Sequence, residues 1–360
     1  MVPIARRHLL AEKSRFALAV IGVAVSVFLI VLIQGLFMGV RDRLGATVDE
    51  LPFDLWVAQD GTYDIHRTTS IIPGEYAESI AEIPGVEHAE SILGRGVLVR
   101  NGERQDVEFV IAFGSGQILS KAGATEGDGP APGETVLSTE FARKIGAGAG
   151  DSVLIGERTF SVASVVPSSF SLLNMADAKA TFGLDDSITY VGVTVSESAD
   201  TSLVASRIDA QLSDANAITK SDFAERSKSV IDGFTPVFGI LMAIGFIVGA
   251  TIISLTIYTS TIEKARDFGV LKALGATRAY LYRIVTVQSF AVGLLGFALG
   301  TPAAYGVAKG VAEIVPEFAT IFNPLYIAGV LGVVLVMSGV SSLLPVHRIS
   351  RVDPGTVFRA

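Results

Sequence analysis

The chain has 360 residues, no cysteine, a mean hydropathy of +0.52 and a formal charge of −8. Without cysteine there can be no disulfide, thiolate ligand or cysteine nucleophile. The net acidity argues against nucleic acid as a partner, because phosphate is repelled, and the positive mean hydropathy sets the chain apart from water-soluble domains of this size.

Residues 1–15 form a short N-terminal segment, and Phe16–Val40 is the first of four runs that contain no Asp, Glu, Lys, Arg or His. The others are Gly233–Ile262, Ile284–Ala308 and Phe318–Val346, and the four are 25, 30, 25 and 29 residues long. About 20 apolar residues cross a hydrocarbon core. A core helix of a soluble protein would present a polar stripe to water, and none of these does. The spans are therefore placed at 16–40, 233–262, 284–308 and 322–346. The first run is too long for the roughly 7–15-residue core of a signal peptide and ends without a small-residue cleavage site, so it reads as an uncleaved anchor.

Between the first two spans lies a segment, 41–232, expected to be an α+β domain. Asp54–Val57 reads as a strand. Pro73–Ile83 reads as a helix with Ile80 and Ile83 facing a core, Glu78 and Glu82 facing solvent, and Pro84-Gly85 as its stop. Val97–Arg100 and Val107–Ala112 read as a hairpin turning at Asn101-Gly102. A Gly/Pro-rich linker, 123–133, suggests two lobes divided near it. Beyond it, Ser138–Ile145, Met175–Phe182 and Thr201–Leu212 read as helices. Asp151–Ile155 and Thr159–Val166 read as strands paired through Gly156, and Thr189–Val195 as another strand. Ser221–Asp232 reads as a helix running into the second span.

No catalytic set stands out in this domain. His66 and His88 lack metal-ligand spacing, Ser168 and Ser169 lack a G-x-S-x-G elbow, and Trp56, the sole tryptophan, reads as core rather than membrane anchor. No cofactor and no metal is expected.

Charge gives the orientation. Residues 1–15 carry +3, the connection 263–283 carries +3 and the tail 347–360 carries +2, whereas 309–317 carries −1 and 41–232 carries −15. With four spans all three basic segments fall on one side, the cytoplasmic one by the positive-inside rule. The 41–232 domain and the short 309–321 loop then lie outside the cytoplasm, in a multi-pass plasma (inner) membrane protein.

The spans carry no Asp, Glu, Lys, Arg or His; their amides are Gln34, Gln288 and, at the start of the last span, Asn323, which suits helix–helix bonding better than a polar solute path. Gly245/Gly249 and Gly296/Gly300 are G-x-x-x-G pairs that let helix backbones approach, inside one subunit or between two. In the connection, Phe268, Leu271 and Leu274 share one helix face, Gly275 ends the helix and Thr277 caps the next. Such a helix either lies at the membrane interface or docks a partner.

The stretch Glu263-Lys-Ala-Arg-Asp-Phe-Gly-Val-Leu-Lys-Ala-Leu-Gly-Ala-Thr277 resembles the E-x-x-R-E-I-G-x-L-[RK]-A-L-G-A-[ST] motif of the FtsX/MacB-type ABC transporter permeases. Leu344–Arg359 resembles their closing P-x-x-R-x-x-x-x-[DN]-P-x-x-x-[LF]-R pattern, and Gly133–Ile155 resembles part of their outer domain. Asp267-Phe268 departs from the usual Glu-Ile, and Phe358 stands in for Leu. The resemblance implies a homo- or heterodimer of permease subunits on a separate cytoplasmic ATPase, since this chain has no G-x-x-x-x-G-K-[ST], with a possible extracytoplasmic adaptor. It implies a coupling role for Glu263, Arg266, Phe268, Gly269, Leu271, Lys272, Leu274 and Gly275. The chain itself would not be an enzyme. It would transmit ATP-driven motion to its outer domain for export or extraction of a lipophilic or envelope substrate. The alternatives are a transenvelope regulator of an extracytoplasmic enzyme and a membrane-anchored receptor without ATPase.

Overall fold

The computed structural model describes residues 13–66, 70–115, 129–314, 318 and 320–350. Arg6, Arg7 and Glu12, the linker residues 123–128, Glu317 and the tail from Arg351 to Arg359 lie outside the described residues. The chain forms two compact units, one comprising residues 1–40 and 234–360, the other 41–233. Helix α1 (Lys13–Glu50) runs without a break through the first uncharged run and on into the second unit's residues.

The inserted unit continues with β1 (Leu55–Gln59), β2 (Ile72–Pro73), α2 (Tyr76–Ala81), β3 (Val86–Asn101) and β4 (Arg104–Phe113). Next come β5 (Glu134–Ser138), α3 (Thr139–Ile145), β6 (Ser152–Ile155), β7 (Arg158–Val166), β8 (Ser171–Leu173) and α4 (Met175–Phe182). It closes with β9 (Ser187–Ile188), β10 (Tyr190–Val195), α5 (Thr201–Gln211), β11 (Ala215–Thr219) and α6 (Lys220–Lys228). Local chemistry sets most of these boundaries. Ser138, Asn174, Asp200 and Thr219 cap α3, α4, α5 and α6, each side chain accepting from a backbone N–H of the first turn. Gly146 and Gly183 end α3 and α4 in the left-handed region, at φ of 66° and 68°.

Several boundaries differ from the sequence reading, two of them for local reasons. The β3–β4 hairpin pairs Asn101 with Arg104, so the turn is Gly102-Glu103. A two-residue loop of this kind wants positive φ at its first residue, and Gly102, at φ 60°, supplies it. Helix α2 is shorter than Pro73–Ile83 because Ile72 and Pro73 are taken into pairing with Ile188 and Ser187.

Among the described residues nine strands form one sheet in the order β11-β1-β10-β3-β4-β8-β5-β7-β6, and β6 returns to pair with β3 through Val99–Ile155 and Arg100–Leu154. Strands β3, β4, β8, β5, β7 and β6 are thus closed into a ring. Its core includes Leu93, Val99, Val110, Leu137, Val153, Phe160 and Leu173, lined by Phe141 of α3 and Phe182 of α4. A second core, with Leu55, Val57, Ile80, Val191, Val193, Val204 and Ile208, lies under α2 and α5. Two lobes therefore exist, but the linker does not divide them. It joins β4 to β5, both in the ring. The 16-residue β3 makes the division, pairing with β10 over Val86–Ile92 and with β4 over Ile92–Asn101. Trp56 is fully buried in a third core with Phe53, Tyr190 and Phe223, edge-on to the first two.

After α6 the helix expected over 221–232 breaks. A 3-10 turn covers Ile231–Phe234, and α7 (Thr235–Glu263) starts with Pro236 in its first turn, where the missing N–H costs nothing. The remaining helices are α8 (Ala265–Ala273), α9 (Arg278–Ile314) and α10 (Pro324–Ser350). Helices α1, α7, α9 and α10 are each long and apolar enough to cross a membrane. Their outward residues are apolar too: Leu18, Ile21 and Leu29 on α1, Ile240, Ile244 and Ile247 on α7, Leu299 on α9 and Val336 on α10 are all exposed in the chain alone. A helix that is apolar on both faces is stable in lipid, where its backbone bonds are already satisfied. Inside, Val23, Val27, Ile30, Ile253, Val285, Val334 and Met337 form one core. The Ser341 hydroxyl links α10 to α7 by donating to the Ala250 carbonyl at 2.9 Å.

Candidate functional site

The four singled-out glycines all face α1 or its neighbours within the same chain. A Cβ on Gly245 would stand 2.9 Å from Ile30, and one on Gly249 would stand 2.6 Å from Met337 and 3.2 Å from Ser26. On α9, a Cβ on Gly296 would press on Val23 and the Ala24 backbone, and one on Gly300 would press on the Ala24 carbonyl and the Phe28 amide. Helix α1 is thus gripped from two sides, at positions where an added side chain would press on a neighbour. Gln288 is buried among the same helices.

The connection from α7 to α9 is built tightly. Helix α7 ends at Glu263, and Lys264 departs from helical angles at φ −97°, ψ 16°. Helix α8 follows at once. Gly275 stops it at φ 92°, and the Tyr280 N–H donates to the Thr277 hydroxyl at 3.3 Å to open α9. Arg15, at the start of α1, donates to both carboxylate oxygens of Glu263, tying α1 to the end of α7. Both partners are about half exposed, so the pair fixes geometry more than it adds stability.

The faces of α8 differ from the sequence reading. Phe268 is only 4% exposed and belongs to the helix-bundle core with Ile257, Leu281 and Val285. Gly269 is buried, and Leu271 is partly buried against the same core. Leu274 is 80% exposed, and it shares the open side with Arg266, Asp267 and Val270. Lys272 is half-buried. Phe268 and Leu271 therefore seat the helix on its own bundle, and Leu274 is free to meet something else. Three-residue spacing predicts one shared face for all three, but Leu274, the helix's C-cap residue, lies on the open side instead.

Among the carboxyls of the inserted unit, burial raises that of Glu108. Glu108 on β4 is partly buried and accepts from the hydroxyls of Ser171 at 2.7 Å and Ser138 at 2.9 Å. Burial pushes its carboxyl up from 4.5 to about 7, and the two hydroxyls only partly offset this. The folded chain holds this proton up to about pH 7, whereas the unfolded chain releases it near 4.5. The resulting destabilisation is absent below pH 4.5, grows between the two values and is constant above. Glu108→Gln, which keeps an acceptor for both serines, is expected to be about 2–3 kcal/mol more stable than wild type at pH 8 and equal to it at pH 4. Thermal unfolding of the full chain at both pH values checks this.

The other singled-out side chains have structural partners. The His66 Nε2 lies 2.8 Å from the Leu44 carbonyl, and the His88 Nε2 lies 3.0 Å from Glu90. The Ser168 hydroxyl donates to the Phe170 carbonyl, and Ser169 donates to Glu50. No group of three His, Asp or Glu is placed to hold a metal among the described residues.

Residues 16–211 match the family profile of the MacB-like periplasmic core domain, and residues 239–354 match that of the FtsX-like permease C-terminal. An uncharacterized ABC transporter permease of Mycobacterium tuberculosis is 25% identical over 365 residues, with 99% of each chain covered. The Bacillus subtilis permease YknZ is 27% identical over 189 residues, covering 50% of this chain and 47% of that one. Among solved structures, the periplasmic region of MacB from Actinobacillus actinomycetemcomitans aligns with a TM-score of 0.38 and 10% identity, covering 48% of this chain and 92% of that one. The extracellular domain of YknZ aligns with a TM-score of 0.36 and 13% identity, covering 46% and 99%.

Proposed function

Because this chain belongs to the FtsX/MacB-type family of ABC transporter permeases, we propose that it carries motion, driven by ATP hydrolysis in a separate cytoplasmic ATPase, to its inserted domain. The observation that carries this reading is the build of α8. Phe268 roots it in the helix bundle, Arg15 and Glu263 brace the preceding turn, and Leu274 stands open at its end. A push on such a helix passes into α7 and α9 rather than being absorbed by a loose loop. Exposed Leu274 and Val270, edged by Arg266 and Asp267, form a small apolar contact with a charged rim, the composition in which apolar anchors supply affinity and rim charges set register.

In this reading α8 and both termini are cytoplasmic, following the distribution of Lys and Arg, and the inserted domain lies outside. A second permease subunit completes the dimer, and an adaptor meets the inserted domains on the far side. The spans contain no Asp, Glu, Lys, Arg or His to escort a polar solute, so the output is mechanical, suited to exporting or extracting a lipophilic or envelope substrate.

The test uses the absence of native cysteine. A cysteine at Glu157, in the exposed β6–β7 turn, is expected to react with an impermeant thiol reagent in intact cells, and one at Leu274 to react only after lysis. The same tagged chain, purified in mild detergent, is expected to bring with it a polypeptide that carries a G-x-x-x-x-G-K-[ST] sequence and turns over ATP. Reversed labelling would refute the orientation, and recovery of the chain without any such ATPase would refute the coupling.

A further inference from the structure

The chain passes between its two units twice, and the two passages are built differently. The first lies inside α1. The boundary between the units falls between Val40 and Arg41, yet the helix runs on from Lys13 to Glu50, which at roughly 1.5 Å per residue makes it about 57 Å long. Sharp bends in helices come from proline, from paired glycines or from an inserted group. Helix α1 contains no proline and no adjacent glycines.

Both ends of this helix are fixed. In the first unit, Gly300 of α9 lies against its Ala24 carbonyl and Phe28 amide, and Arg15 holds Glu263, the last residue of α7, just before α8 begins. In the inserted unit, Val48 is fully buried in the third core with Trp56 and Phe223, and Leu51, just past the helix end, is buried with it.

The second passage has neither the continuity nor the packing. Between α6 and α7 the chain takes the 3-10 turn Ile231–Phe234, in which no residue is buried. Residues 232–237 are all exposed, and a Cβ on Gly233 would meet nothing within 4 Å. Asp232 accepts from Arg41 at 3.3 Å, but the pair is partly exposed and water can take the place of either partner. A displacement of α1 must travel to the third core, because the helix has nowhere to bend. A displacement of α7 is taken up by the φ and ψ of a few unpacked residues at an element's end, which is how hinges are built.

We propose that α1 is the rigid arm that delivers motion to the inserted domain, and that residues 231–234 are a compliant hinge that transmits none. This rests on the reading that ATP-driven motion reaches the inserted domain, and adds which passage carries it.

Glycines soften each passage without changing its length, since glycine is a poor helix former. Met38→Gly with Val40→Gly places three consecutive glycines in α1, and Phe234→Gly with Thr235→Gly does so in the second passage. Cysteines at the exposed positions Glu157 and Glu313 are labelled in intact cells with a membrane-impermeant gadolinium chelate, which spares cytoplasmic thiols. The tagged chain is purified with the ATPase that accompanies it and placed in lipid nanodiscs. Pulsed dipolar spectroscopy then reads the distance between the labels with and without ATP and vanadate. In the otherwise wild-type complex the distance distribution is expected to shift on trapping. The shift is expected to be lost in Met38→Gly/Val40→Gly and kept in Phe234→Gly/Thr235→Gly, with ATPase recovery and ATP turnover at wild-type values in both. Thermal unfolding checks that the variants fold. Should the double α1 variant not fold, Val40→Gly alone is expected to diminish the shift. A full shift in the α1 variants, or a shift lost in Phe234→Gly/Thr235→Gly, overturns the proposal. No shift in the otherwise wild-type complex, with its ATPase bound and active, overturns the reading beneath it and the proposal with it.

Discussion

Leu274→Asp is expected to reduce the ATPase recovered per permease at least tenfold while leaving membrane insertion and thermal unfolding of the chain at wild-type values. The leucine is 80% exposed, so the chain alone loses almost no burial when it is replaced. In a docked complex the carboxylate would lie in an apolar contact without a partner, which is costly. Phe268→Asp separates the two roles of the helix. It puts a charge into the bundle core, where Phe268 is 4% exposed, and is expected to cost about 3–5 kcal/mol of stability as well as the coupling. Leu271→Asp would mix the two effects, since Leu271 is packed against the same core. The readouts are ATPase recovered, ATP turnover of the complex and the unfolding midpoint. Wild-type recovery and turnover with Leu274→Asp would leave α8 as an interfacial helix only.

A single methyl group at Gly300 is expected to destabilise the helix bundle by about 1–3 kcal/mol, the usual cost of overpacking. The added carbon would press on the Ala24 carbonyl and the Phe28 amide of α1. These are backbone atoms that cannot rotate away, so the helices must separate. Gly249→Ala is expected to cost less, because the atom in its way is the Met337 sulfur, 2.6 Å from the new carbon, at the flexible end of a side chain. Gly310→Ala, with nothing within 4 Å, is expected to be neutral or slightly stabilising. The order of the three unfolding midpoints in detergent is the measurement. A Gly300→Ala midpoint equal to that of Gly310→Ala would mean α1 and α9 do not pack through this glycine.

The elements legible in the sequence are those fixed by near neighbours. Uncharged runs marked the four membrane helices, and Ser138, Asn174 and Asp200 mark helix starts because their short side chains reach a backbone N–H two or three residues on. What depends on distant residues was not legible. The turn at Gly102-Glu103 was read one residue early because Asn-Gly and Gly-X loops share their glycine, and only the Asn101–Arg104 pairing decides between them. The ring closes through Val99–Ile155 and Arg100–Leu154, contacts that leave no periodic trace in either strand. For α8, spacing identified the apolar side but not what covers it. Phe268 meets Leu281 and Val285 of the following helix, and no local pattern distinguishes that from a face kept for a partner. The Glu108 carboxyl was hidden in the general acidity of its segment, since its burial depends on Ser138 and Ser171, 30 and 63 residues later.

The position of β1 in the sheet imposes a waiting time during synthesis. Leu55 pairs with Val193 on one side and Thr219 on the other, 138 and 164 residues further along the chain. At roughly 5–20 residues per second, the strand stands without either neighbour for on the order of ten seconds. The ring strands do not wait in this way, since β3 meets β4, and β6 meets β7, across two-residue turns. Once the ring has formed, the Val86–Ile92 end of β3 extends from it as an edge on which β10 can be laid, and only then can β1 and β11 be added. Until that moment Leu55, Trp56 and Val57, which end fully buried, form a short apolar strand with both edges open, the kind that another nascent copy could pair with.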